Sequence, residues 1–276
     1  MTNLRLKKEM EELVAKASFC LRADLYLLLK KALAKETKPN ARKALRCILE
    51  NARIANKENL AICQDTGLPV LFIEAGKDVK LSSQFIKILQ EGVMSGYKKH
   101  SLRASMVDPI LRKAPSYKGV ISHVEFLEQA KGIKITLFPK GFGSENKSQL
   151  KMFNPTASVE EIEGFIVESV KNAGPEGCPP FVVGVGIGGT ADKALLLAKK
   201  SLIDRVDKSN PDRNLKKLEQ SLFKKINNLR IGPMGFGGKT TVLAVKVKTA
   251  PTHIAGLPVG VNISCHALRS AAITFK

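Results

Sequence analysis

The stretch FVVGVGIGGTADKALLLAK, residues 181–199, decides how this chain folds. Phe181 to Val185 form a short apolar run with the texture of a buried strand, and residues 190–203 have the spacing of a helix. The glycines between them spell G-x-G-x-x-G at 184–189, which follows a strand and opens a helix as a dinucleotide-binding turn does. That fold next needs a parallel strand ending in an acidic residue. Here the helix runs instead into SLIDRVDKSNP, where Asp204 and Asp207 lie in a polar, charged segment. The glycines therefore read as a tight strand-to-helix turn, or as a helix N-terminus able to hold an anion. A second phosphate-loop look-alike, GGKT at 237–240, fails for a similar reason. Its first glycine would fall at Pro233, and residues 240–248 read as a strand where a helix is required. Gly232, Gly235, Gly237 and Gly238 read instead as places where the backbone approaches a ligand or another chain.

Working outward, residues 158–172 read as a helix with Ser158 and Glu161 in a capping-box pattern. A polar loop at 208–214, a short charged helix, the strand 240–248 and apolar, Gly-punctuated strands from His253 follow. Toward the N-terminus, 123–127 and 133–138 alternate like paired strands. Residues 82–99 read as a helix with Ser83 as its cap, 68–75 as a strand, and 3–60 as helical with a break at 37–40. The fold class is α+β. We expect one domain over 1–276, with a helical lobe at about 1–60 and a mixed helix-and-strand part at about 61–276.

Composition narrows the function. With 44% hydrophobic residues in 276, the chain can bury a substantial core. Its net charge is +20, spread along the sequence with no basic tail. Without Trp, and with 5% aromatics, it lacks a base-stacking surface, so nucleic acid is not an expected partner. A Lys-rich surface that attracts an anionic substrate or an acidic subunit fits better. The N-terminus alternates charged and apolar residues, and nowhere do 18 apolar residues run together. We expect a cytoplasmic protein with no membrane partner. Five cysteines, an odd number without a secretory signal, argue against a disulfide framework.

Cys20 and Cys47 fall on helical patterns and read as buried hydrophobes. Cys63, Cys178 and Cys265 lie among Gly, Pro and small polar residues, where a thiolate can leave the core and face a cavity. No C-x-x-C is present, so spacing alone does not establish a metal site. The surrounding motifs are more specific: ICQDTGLP at 62–69, LRASMVDP at 102–109, PKGFGSENKS at 139–148, GPEGCPP at 174–180, GIGGTADK at 186–193 and KTAPTHIAGLPVGVN at 248–262. In this order they resemble the class I, iron–sulfur fumarate hydratases and the α subunit of L(+)-tartrate dehydratases. The likeness runs over roughly residues 40–275.

The resemblance implies a [4Fe-4S] cluster held by Cys63, Cys178 and Cys265, with a fourth iron open to substrate. Such an iron is a Lewis acid in the reversible hydration of fumarate to (S)-malate. Gln64 and Asp65 match the family's substrate-contacting pair, and Asp65 is a candidate for proton transfer. A turn-forming role for Asp65 stays open. Arg103 matches a carboxylate-binding arginine, suited to a bidentate grip. Gly143 offers a backbone N–H to substrate. His253 matches a catalytic histidine, with a core or turn role as the alternative, and His266 receives no catalytic role. The family's cavity also needs a second domain, so the expected partner is a β subunit in an α2β2 assembly. A tartrate dehydratase α subunit is the alternative activity. A non-catalytic iron–sulfur scaffold and a dinucleotide-dependent oxidoreductase are the competing classes.

Overall fold

The structure, a computed structural model, describes residues 2–275. In chain order its helices are α1 (Asn3–Phe19), α2 (Ala23–Lys35), α3 (Pro39–Glu58), α4 (Ser83–Lys99), α5 (Phe142–Glu145), α6 (Val159–Ala173), α7 (Ala191–Ser201) and α8 (Arg213–Asn227). Its strands are β1 (Leu68–Gly76), β2 (Ile121–Leu127), β3 (Ile133–Lys140), β4 (Gln149–Phe153), β5 (Phe181–Ile187), β6 (Val242–Thr249), β7 (Leu257–Ser264) and β8 (Ala271–Phe275). The class is α+β, as the alternation of patterns predicts. The chain packs as two compact units. One comprises the residues up to Arg22, Ala52–Phe142 and those from Arg269 onward; the other comprises Ala23–Asn51 and Gly143–Leu268.

The first unit is a four-stranded sheet in the order β2-β1-β3-β8. β1 runs parallel to β2 and antiparallel to β3, and β3 runs antiparallel to β8. The two strands expected to pair with each other, β2 and β3, instead flank β1. The reason lies in β1 itself: LPVLFIEAG carries apolar residues on both faces, so it takes the central position, while β2 stays half-exposed at the edge. α1 packs along α4, and the apolar stripe Leu6, Met10, Leu13, Leu89 and Val93 covers Leu71, Ile73, Ile135 and Leu137 of the sheet. α4 starts one residue earlier than its expected cap implies: Ser82, not Ser83, accepts the Phe85 N–H at 3.1 Å.

The second unit is a sheet in the order β4-β7-β5-β6. β5 is parallel to β6 and antiparallel to β7, which is antiparallel to β4. α6 and α8 supply Ile162, Ile166, Val170, Leu222 and Ile226 against Phe181, Val183 and Val185. α7 packs on the other face, and α6 begins with the expected capping box, Ser158 and Glu161 bonding reciprocally. The helices of the N-terminal region divide between the units: α1 packs on α4, whereas α2 packs beside β6.

The glycines of the would-be fingerprint have a packing role. A Cβ at Gly184 would stand 2.1 Å from the Ala198 carbonyl oxygen, and one at Gly186 would stand 2.0 Å from that of Ala194. Both let α7 lie directly on β5. A parallel strand does arrive, but only after α8, and β6 ends in Lys248 and Thr249 rather than an acid. The glycines of residues 232–238 serve contacts within the chain. A Cβ at Gly238 would stand 2.6 Å from Glu36 Oε2, and one at Gly235 would stand 2.6 Å from Pro175 Cβ. Two cysteines also differ from expectation. Cys20 lies just past α1, partly buried, with its Sγ 3.1 Å from Asn56 Oδ1. Cys47 is exposed, because the buried stripe of α3 runs through Ala44, Leu45, Ile48 and Leu49 and leaves position 47 outside.

Candidate functional site

In the first unit, the loop from Cys63 to Gly67 enters β1 and is held from every side. The buried Thr66 hydroxyl accepts the Arg103 N–H at 3.1 Å, which joins the Arg103 backbone to this loop. Tyr97, 1% exposed on α4, donates its phenol hydroxyl to the Thr66 and Gly67 carbonyls at 3.2 and 3.3 Å. Burial raises the Tyr97 phenol well above the ordinary tyrosine range; the Arg269 guanidinium lowers it and Asp65 adds to the rise. It therefore stays a neutral donor. Asp65 shapes the turn. Its Oδ1 accepts the Gly67 N–H at 3.0 Å, and its Oδ2 accepts the Phe142 N–H at 2.7 Å. Arg269 Nη2 donates to the Asp65 carbonyl at 2.7 Å. Gln64 is exposed, as is the Arg103 side chain. The loops of Gln64, Asp65 and Arg103 thus gather at one place in this unit, together with the Phe142 amide.

In the second unit, Cys178 closes a single 3-10 turn, Pro175–Gly177, in a left-handed conformation (φ 57°, ψ 64°). That region is rare for a residue with a side chain and collects at functional sites. Cys265 directly follows β7. His266 binds the Cys178 carbonyl twice, through its backbone N–H at 3.3 Å and its Nδ1 at 3.0 Å. A carbonyl only accepts, so Nδ1 carries a proton. Two of the three cysteine-bearing turns are therefore joined within this unit through a residue to which sequence reading assigned no role. Gly143 is exposed, and a Cβ built on it would meet nothing within 4 Å. The short helix α5 is anchored from below: Glu145 pairs with Lys199 at 2.5 Å and accepts from Asn262 of β7 at 2.8 Å. His253 is a turn histidine. It is exposed, and its Nδ1 accepts the Ala255 N–H at 3.1 Å. Cys47 borders a cleft with Ile48, Met234, Phe236 and His266.

None of the five cysteines forms a disulfide, and Cys63, Cys178 and Cys265 are each partly exposed outside helices and strands. Cysteine thiols are, by their chemistry, fitting donors for an iron–sulfur cluster. Among the described residues, no three His, Cys, Asp or Glu side chains stand close enough together to hold a metal ion. Sequence reading missed Thr66, Tyr97 and Arg269 as well as His266. Only Arg269 left a trace, as a lone cation in the otherwise apolar or small run from Ala267 to Ile273.

The sequence matches the family description Fumarate hydratase (Fumerase) over residues 7–274. A Methanocaldococcus jannaschii protein, provisionally named L(+)-tartrate dehydratase subunit alpha, is 40% identical over 99% of this chain and 98% of its own length. A Geobacillus stearothermophilus protein, provisionally named fumarate hydratase class I, is 30% identical over 98% of this chain but only 54% of that longer protein. The Escherichia coli L(+)-tartrate dehydratase subunit alpha is 26% identical over 82% of this chain and 76% of its own. With a match of this extent, the chain belongs to the fumarate hydratase family of hydro-lyases.

Proposed function

We propose that this chain is the cytoplasmic α subunit of a [4Fe-4S]-dependent hydro-lyase that adds water reversibly across fumarate to give (S)-malate. The observation that carries the reading is the hydrogen bond from the Arg103 amide to Thr66, which holds the Arg103 backbone against the loop of Gln64 and Asp65 in a chain with this family match. Cys63, Cys178 and Cys265 would hold the cluster. When bound, it supplies a Lewis-acidic iron that makes hydroxide a better leaving group. The chain's own residues do the rest. Arg103 grips one substrate carboxylate through the two arms of its guanidinium. Gln64 orients the substrate, and the Gly143 amide donates to it. Asp65 moves the proton at the substrate hydroxyl oxygen, held in place by the Gly67 and Phe142 amides. His253, at an exposed turn, is the second candidate for proton transfer.

A β subunit, in an α2β2 assembly, would close the substrate's other end. The M. jannaschii and E. coli relatives are both named as alpha subunits, which supports a partner chain. The same names favour a second reading, dehydration of L(+)-tartrate. The test is to purify the chain anaerobically, count its iron, and assay fumarate, malate and both tartrate isomers before and after adding the β chain. We expect a cluster spectrum from the chain alone, and turnover only with the partner, because a dicarboxylate held at one end is poorly oriented. Full activity from the isolated chain would refute the two-subunit reading. Turnover of tartrate without fumarate would select the second activity.

A further inference from the structure

Arg269 leads the largest fully buried side chains among the described residues, with about 2% of its surface exposed. Its Nη2 donates to the Asp65 carbonyl at 2.7 Å, while its Nε and Nη1 are buried without a hydrogen-bond partner. Its surroundings are polar and tightly built. Asp65 Oδ2 and Arg269 Nη2 stand 3.2 and 3.6 Å from the point where a Cβ on Gly141 would sit, so this position has little room for a side chain. Tyr97 feels the charges of both Arg269 and Asp65. The buried Lys140 donates to the Gly141 carbonyl at 3.2 Å.

A buried guanidinium with unmet donors is a poor way to stabilise a fold, because its desolvation is only partly offset. An apolar side chain of similar length would pack the same space at less cost. What the arginine adds is a fixed bond to one peptide, that of Asp65, two residues after Cys63. That bond sets the rotation of the peptide, and with it the direction in which the Asp65 carboxylate points. The geometry points to Arg269 as a positioning residue for Asp65. It holds the proton-transfer group from behind without touching substrate, and this assignment rests on the catalytic role of Asp65 given above.

Arg269→Met and Arg269→Lys test this in the full chain, with Asp65→Asn as the reference. In the chain alone, hydrogen exchange at the Gly67 and Phe142 amides, which donate to the Asp65 carboxylate, should quicken at least tenfold in Arg269→Met. The amides of β1 should be unchanged. The Met variant should melt at the same temperature as the parent or higher and bind the same iron. In the reconstituted enzyme its kcat should fall at least tenfold while KM changes less than threefold. Arg269→Lys, which keeps a charged donor, should recover at least threefold of that loss. Unchanged exchange at the two amides, or a kcat within threefold of the parent, overturns the assignment. So does a Met variant that loses melting temperature, iron and activity together, since Arg269 is then merely structural. An active Asp65→Asn enzyme would instead sink the proposed role of Asp65, whatever Arg269 does.

Discussion

Glu36 is a carboxylate only 1% exposed, and it holds the turn that the sequence makes look like a phosphate loop. Its Oε1 accepts the Thr37 and Lys38 N–H groups at 2.9 and 3.0 Å, and its Oε2 accepts the Lys239 N–H at 2.7 Å. Glu36→Gln keeps the shape and removes the charge. The amide oxygen can still serve Thr37 and Lys38, but the amide NH2 then faces the Lys239 N–H, donor against donor. One charge-assisted bond is lost and a buried N–H is orphaned, for a loss of about 2–4 kcal/mol. The pH dependence has a definite sign. Burial alone would raise the Glu36 carboxyl, but the backbone donors at Lys38, Lys239 and Thr37, with the Lys239 charge, hold it below the usual glutamate range. A depressed folded value means that the stabilisation is complete above the unfolded value of about 4.3 and is lost as pH falls through the folded one. Urea unfolding should therefore show a constant gap between parent and variant from pH 8 to 6, shrinking below about pH 4. Exchange at the Lys239 amide should quicken in the variant. A gap under about 0.5 kcal/mol at neutral pH, well below the charged-bond range, or one that widens on acidification, would refute the reasoning.

Other perturbations test the packing and the site. Gly186→Ala puts a methyl group 2.0 Å from the Ala194 carbonyl oxygen, and overpacking should outweigh the gain in strand propensity to leave a net loss of about 2 kcal/mol in urea melts. Unchanged stability would mean that α7 does not rest on β5 there. Tyr97→Phe leaves the Thr66 and Gly67 carbonyls without their buried donor and should cost about 1–2 kcal/mol by the same measurement. Cys63→Ser, Cys178→Ser and Cys265→Ser should each lower iron bound after anaerobic reconstitution, while Cys20→Ala and Cys47→Ala should not; equal loss at Cys20 would sink the ligand assignment. Arg103→Lys should retain the cluster and lose about 2–4 kcal/mol of transition-state stabilisation, read from kcat/KM of the reconstituted enzyme, and unchanged kinetics would remove Arg103 from the site.

The amino-acid sequence by itself determined the element types. Helices α4, α6, α7 and α8 and strands β1, β5 and β6 lie close to where their periodicity predicts, because each is a local match between apolar spacing and backbone period. It also carried the family through six ordered motifs, and it was enough to reject both glycine look-alikes by what failed to follow them. Only the tertiary structure decided which strands are neighbours. Pairing joins residues far apart in the chain, so β2 and β3, adjacent in sequence, are separated by β1 in the sheet. Burial of α3 likewise turned Cys47 outward, although its neighbours are apolar. The residues that hold the site in place were hidden for the same reason. Thr66, Tyr97, His266 and Arg269 act through hydrogen bonds to main-chain groups 30 to 204 residues away in sequence. A main-chain carbonyl or amide leaves no mark in a sequence, so such bonds exist for the reader only once the chain is folded.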